Sequence, residues 1–147
     1  MSTRERIKLV TALRPEDFLG YRLVLKSAQM SRRFADELAA VGLRVTEFST
    51  LAVLAARPGA TAAELAEAVL ISAQSMGPLL DRLQKIGAVV RPERRGKGRV
   101  APAELTDEGR RLLAVAYARV EAIEDEYRRQ LGEDYEVFHH IVDRWQP

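Results

Sequence analysis

Residues 94–99 hold four cations, Arg94, Arg95, Lys97 and Arg99, with Gly96 and Gly98 set between them. Guanidinium and ammonium groups at this density neutralise phosphates, and the two glycines permit the positive φ angles of a tight loop tip. Such a loop suits the minor groove of a duplex or its flanking phosphates. Upstream, Ser72, Gln74 and Ser75 open a stretch of helical periodicity. A glutamine amide can pair with adenine in the major groove, and a serine hydroxyl contacts bases less selectively. Ser72, Arg82 and Lys85 fall where phosphates or the edge of a footprint would be met. Catalytic chemistry finds no comparable set of residues. His139 and His140 are the only histidines, and adjacency on a helix turns their side chains about 100° apart, which disfavours joint metal chelation. The glycines around Lys97 lack the G-x-x-x-x-G-K-[ST] spacing of a phosphate loop. No nucleophile lies beside a base. The sequence therefore predicts no catalytic residue, no metal and no cofactor.

The groups that would meet DNA need rigid elements. Thr61 and Glu64 form a T-x-x-E capping box at the start of a short helix containing Leu65, Ala66 and Val69. Ser72 can cap the next helix, where Met76, Leu79, Leu80, Leu83 and Ile86 define a buried face before the Gly87 stop. Pro78 disturbs that helix: either it bends there, or its regular part starts nearer Ser75. The reading adopted is a helix over about 73–86 with a distorted first turn. Residues 88–91 and 100–105 are short strand candidates flanking the basic loop, with Pro102 confining the second to an edge. Two capped helices followed by a basic hairpin read as a winged helix-turn-helix, in which the start of the second helix faces the base edges.

The flanking segments are helical as well. Pro15 suits a first turn, and a stripe containing Phe18, Leu25, Phe34 and Leu38 predicts a helix over about 16–41, stopped by Gly42. Thr46 can cap a helix to Arg57, with Phe48, Leu51 and Leu54 on one face. Thr106 can cap a long helix in which Leu113, Ala116, Val120, Ile123 and Tyr127 resemble a coiled-coil seam, with Gly132 ending it. Residues 133–145 form a last amphipathic helix carrying Phe138, Ile141, Val142 and Trp145. Residues 1–14, with Ile7, Leu9, Val10 and Leu13, read either as a short helix packing on a partner or as a frayed terminus.

Charge is segregated along the chain. Residues 72–99 hold seven cations against two acids, net +5, whereas residues 121–143 hold eight acids against two arginines, net −6, although the whole chain carries only +2. A locally basic module can bind polyanions within a nearly neutral protein. With no cysteine, a disulfide scaffold is impossible. The amino terminus is charged and lacks a signal-peptide core, and no apolar run approaches the roughly 20 residues of a membrane span. A cytoplasmic location and no membrane partner are the expectation.

The ordered set Thr46-x-x-x-x-Leu51-x-x-Leu54, Thr61-x-x-Glu64-Leu65-Ala66, Leu79-x-Asp81-Arg82-Leu83-x-x-x-Gly87, the wing, and Leu105-Thr106-Asp107-Glu108-Gly109 resembles the MarR family of bacterial transcription regulators. The resemblance implies a mainly α fold with a small β-wing. It places a winged helix-turn-helix lobe at about 46–106, and a dimerisation lobe of N- and C-terminal helices at about 1–41 plus 107–147. It further implies a homodimer that meets double-stranded DNA at successive major grooves of a pseudo-palindromic operator, acting as a repressor. Many relatives respond to small phenolic or lipophilic effectors, and Phe18, Tyr21, Leu25, Phe48 and Tyr117 are the candidate lining of such a crevice. One departure stands in the wing, where the family's Asp-x-Arg is replaced by Lys97-Gly98-Arg99. That loss, together with Pro78, motivates the alternative of a winged-helix protein-interaction module that has lost DNA binding.

Overall fold

The computed structural model describes Ser2, Thr3, Glu5, residues 14–91 and residues 102–146. The chain divides into two compact units, Met1–Asp36 and Glu37–Pro147. In the first unit a 3-10 turn spans Pro15–Asp17, with the Arg14 N–H donating to Asp17 Oδ2 at 3.2 Å. Extended backbone at Phe18 (φ −94°, ψ 122°) then separates this turn from helix α1, Leu19–Ala39. The single helix expected over 16–41 is therefore shorter, because its first residues close on themselves through the Phe18 N–H bond to the Pro15 carbonyl. No described side chain of this unit is buried. Candidate helix residues Ile7, Leu9, Val10 and Leu13 lie outside the described residues.

The second unit holds the core. After the last turn of α1, which buries Leu38, come α2 (Val45–Ala56), α3 (Ala62–Ala68) and α4 (Ala73–Lys85). Strand β1 (Val89–Val90) pairs antiparallel with β2 (Glu104–Leu105), aligning Val89 with Leu105 and Val90 with Glu104. Helices α5 (Asp107–Leu131) and α6 (Asp134–Arg144) complete the chain. Leu51, Leu54, Leu65, Met76, Leu80, Leu83, Val89, Leu105 and Leu113 meet in one buried cluster. Their spacing on each helix is that of a single apolar stripe, so α2, α3, α4 and the start of α5 must turn those stripes together. Among the described residues no helix is long and apolar enough to cross a membrane.

Several helix ends follow from side-chain chemistry. The Thr61–Glu64 box forms as expected: the Thr61 N–H donates to Glu64 Oε2 at 2.7 Å and the Glu64 N–H to Thr61 Oγ at 3.3 Å. These bonds, the backbone one foremost, hold the Glu64 carboxyl below its ordinary range. The N-cap of α2 differs from expectation. It is Arg44, whose extended backbone presents its N–H to Glu47 Oε2 at 2.9 Å. Thr46 lies inside the first turn, where its carbonyl accepts the Thr50 hydroxyl at 2.7 Å. The coiled-coil-like stripe of α5 is also partly used at home, since Leu113 and Ala116 belong to the unit's own core.

Helix α5 begins where it must. The Thr106 hydroxyl donates to the Gly87 carbonyl at 2.5 Å and accepts the Gly109 N–H at 3.0 Å, while the Thr106 N–H donates to the Ala88 carbonyl at 3.1 Å. One threonine thereby caps the helix and fixes it to the base of the β-hairpin. The approach is so close that only glycine fits at 109: a Cβ there would stand 2.0 Å from the Ala88 carbonyl oxygen.

Candidate nucleic-acid interface

Helix α4 is the element expected to read bases, and its first turn is built by serine. Ser72 takes extended backbone, its Oγ accepts the Ser75 N–H at 3.2 Å, and the two hydroxyls lie 2.8 Å apart. This pairing satisfies an orphan amide of the helix start. Ser72, Gln74 and Ser75 are all exposed, while Met76, Leu80 and Leu83 on the opposite stripe are buried. Burial of that stripe fixes the rotation of α4 and leaves the Gln74 side to solvent. The helix runs through Pro78 without ending, and its regular part starts at Ala73, not near Ser75. Pro78 has no N–H to give the Gln74 carbonyl, so that oxygen is left for water or a ligand in the same exposed turn.

The turn before α4 carries a second peculiarity. Leu70 has φ +57° and is 92% exposed. Its N–H bonds the Glu67 carbonyl at 3.3 Å, and the Ile71 N–H bonds the Ala66 carbonyl at 3.0 Å, closing α3 with the bonding pattern of a Schellman cap. Leucine thus stands where glycine usually does, and the geometry of this cap sets the angle between α3 and α4.

The cations divide by role. Lys85 is exposed at the last turn of α4. It lies 11 residues past Gln74, about 16 Å along the axis, at the far end of α4 from the serine-capped turn. Arg82 is exposed but held by protein partners. Its Nε donates to Glu47 Oε1 at 2.5 Å and its Nη2 to the Gly42 carbonyl at 3.1 Å. Arg91, at the end of β1, donates through Nη2 to Asp81 and through Nε to Gln84 Oε1 at 2.8 Å. Among the three described cations of residues 72–99, Arg82 and Arg91 are therefore matched by protein acids. Arg94, Arg95, Lys97 and Arg99 lie outside the described residues.

Sequence reasoning missed Glu47 as a member of this arrangement. The signal was present: Glu47, Leu51 and Leu54 follow the i, i+4, i+7 spacing of one face, so an acid interrupts an apolar stripe. It also missed Arg44. A cavity of about 230 Å³ is lined by Arg44, Thr46, Ser75 and Pro78, among others, and so places the start of α2 beside the first turns of α4.

The residues expected to line an effector crevice are distributed between the two units. In the second unit Phe48 of α2 meets Tyr117 of α5 edge to face, with ring centroids 5.2 Å apart. In the first unit Phe18, Tyr21 and Leu25 are exposed. At the carboxy-terminal corner the Tyr135 hydroxyl donates to Glu124 at 2.8 Å and the Arg128 guanidinium lies over its ring. The bond to Glu124 holds the phenol above its ordinary range. On α6 Val137, Phe138, Ile141 and Val142 are exposed, as is Trp145 just beyond.

The chain is similar to known proteins in sequence and fold. Residues 41–100 match the family model described as MarR family. The chain is 38% identical over 104 residues to the HTH-type transcriptional repressor Rv2887 of Mycobacterium tuberculosis strain H37Rv, an alignment covering 71% of this chain and 75% of the relative. Among solved structures it is similar to Rv2887 in complex with salicylic acid, with a TM-score of 0.70, 33% identity, and coverage of 86% of this chain and 95% of that one. It is also similar to the transcriptional repressor CouR bound to a 23-mer DNA duplex, with a TM-score of 0.79, 30% identity, and coverage of 87% and 92%. With this identity and likeness of fold over most of both chains, the chain belongs to the MarR family of transcriptional regulators.

Proposed function

We propose that the protein is a sequence-specific DNA-binding repressor that works as a homodimer on a pseudo-palindromic operator. The observation that carries this reading is the first turn of α4, where Ser72, Gln74 and Ser75 are exposed on a helix whose opposite stripe is buried. Gln74 is assigned to base reading and Ser75 to a less selective contact. Ser72 and Lys85 are assigned to the backbone, and Arg94, Arg95, Lys97 and Arg99 of the wing to minor groove or flanking phosphates. The similarity to CouR, whose structure was solved on a DNA duplex, supports the assignment of partner. Repression by occupying an operator places the protein in the bacterial cytoplasm.

The lobes divide accordingly: about 46–106 meets DNA, and about 1–41 plus 107–147 joins the two copies. The apolar residues left exposed on α6 support the second half of that division. A small-molecule effector would act through differential affinity for the DNA-competent arrangement of the two α4 helices. Phe18, Tyr21, Leu25, Phe48 and Tyr117 are assigned to its crevice. Similarity to a relative solved with salicylic acid supports a small aromatic ligand class.

Selection of bound duplexes from a random pool tests this reading and returns the half-site spacing. The winner, titrated at several salt concentrations, should lose affinity steeply as salt rises. Gln74→Ala should erode preference by about 1–3 kcal/mol at one base position. Absence of binding to any duplex at low salt would leave the protein-interaction alternative.

A further inference from the structure

Among the described residues Glu47 is the only buried carboxylate, at 1% exposure. Both of its oxygens are occupied: Oε1 by Arg82 Nε at 2.5 Å and Oε2 by the Arg44 N–H at 2.9 Å. Arg82 completes a fork with its Nη2 on the Gly42 carbonyl at 3.1 Å, in the turn between α1 and α2 where Gly42 takes φ +78°. One guanidinium on α4 thus grips two successive points of the preceding scaffold. Its neighbour in sequence, Asp81, holds Arg91 at the hairpin base, and Arg91 returns to Gln84 on α4. Adjacent residues therefore anchor α4 in two directions.

Stability alone does not explain a buried carboxylate paired with a half-exposed guanidinium. Taking a carboxylate out of water is costly, and well-packed apolar residues of similar volume are often as stable or more so. Nor does charge explain it, because an acid near a phosphate-binding surface opposes binding. Orientation does. Gln74 lies eight residues, about 12 Å, ahead of Arg82 on the axis of α4. A tilt of about 10° about Arg82 would carry the Gln74 end roughly 2 Å, beyond what a base-edge hydrogen bond tolerates.

We infer that Glu47 and Arg82 are positioning residues for base recognition, fixing the angle of α4 against the α1–α2 turn, and that Arg82 acts through Glu47 and not on phosphate. The inference rests on the DNA-binding reading. It assigns the start of α2 a role in sequence discrimination without a contact to DNA.

The test compares Glu47→Gln, which is isosteric, and Arg82→Lys, which keeps the charge but lacks the planar fork. Thermal melts and circular dichroism establish that each variant is folded. Affinities are then measured for the duplex selected by the wild type and for random duplex, at several salt concentrations. The expected result is a fall of about tenfold or more in the selected-to-random ratio for both variants, with the salt slope of Glu47→Gln unchanged. Retention of the wild-type ratio by either variant overturns the proposal. So does a salt slope reduced by about 1 on all duplexes for Arg82→Ala, the signature of a phosphate contact. Should the wild type bind no duplex, the DNA-binding reading fails separately. Amide hydrogen exchange then decides the positioning itself: faster exchange across 79–83 in Glu47→Gln supports it, and unchanged protection refutes it.

Discussion

Substituting Gly109 by alanine isolates the close approach that joins α5 to the wing base. Gly109 lies in helical backbone, so the demand is steric and not conformational. An added Cβ would sit 2.0 Å from the Ala88 carbonyl oxygen, 2.9 Å from its carbon and 3.2 Å from its Cα, and the oxygen contact must open to at least 3.4 Å for ordinary packing. All three atoms are backbone, and the Ala88 carbonyl is also the acceptor for the Thr106 N–H. A displacement of that size loosens this bond and the Thr106 hydroxyl bond to Gly87. Two lost bonds at about 1 kcal/mol each, with about 1–3 kcal/mol of overpacking, outweigh a helix-propensity gain of at most about 1 kcal/mol. The net is a destabilisation of about 2–4 kcal/mol, or a fall in Tm of roughly 5–15 °C for a chain of this size. Gly20→Ala is the matched comparison. It lies in the first turn of α1 with nothing within 4 Å of its added Cβ and no proline after it, so it should stabilise by at most about 1 kcal/mol. Urea denaturation at one fixed protein concentration measures both, because self-association would otherwise shift the midpoints. A Gly109→Ala protein as stable as wild type would refute the close-approach argument.

Three further outcomes are expected. Leu70→Gly relieves a left-handed residue that is almost fully exposed and should raise stability by about 0.5–1 kcal/mol net of unfolded-state entropy, read by the same denaturation; a loss would show that Leu70 is not strained. Glu64 is held below its ordinary value of 4.5, so its contribution is present above that pH and is lost as pH falls through its folded value. Melting curves of wild type and Glu64→Gln should accordingly differ above pH 4.5 and converge below it, and a gap that widens in acid would reverse the sign of the argument. Ile141→Asp places a charge on the exposed apolar face of α6 and should shift sedimentation toward monomer; a wild type already monomeric at micromolar concentration would refute pairing through the terminal helices.

The order of elements was legible because its signals are local. Thr61 with Glu64, Ser72 and Thr106 announce helix starts through hydrogen bonds to residues three positions away, and the structure forms each of them. Periodicity in Met76, Leu80 and Leu83 revealed the buried stripe of α4, and so the exposed side on which Gln74 lies. Local signals also misled. Thr46 was the obvious cap for α2, yet Arg44 holds that position, because the Glu47 carboxylate serves its amide. Of the coiled-coil-like stripe Leu113, Ala116, Val120, Ile123 and Tyr127, the first two belong to the unit's own core.

By itself the sequence determined the order of the capped helices and the exposed side of α4, which follow from spacing and capping along the chain, and its ordered motifs carried the resemblance to the family. Only the tertiary structure decided which of the described cations of residues 72–99 pair with protein acids. Arg82 and Arg91 are indistinguishable from phosphate binders in sequence, and their partners lie 35 and 10 residues away. Only packing α4 against α2 and the hairpin brings Glu47 and Asp81 within reach. The same packing makes Gly109 indispensable: in a helix it is merely a weak former, and the carbonyl it must admit belongs to Ala88, on another element.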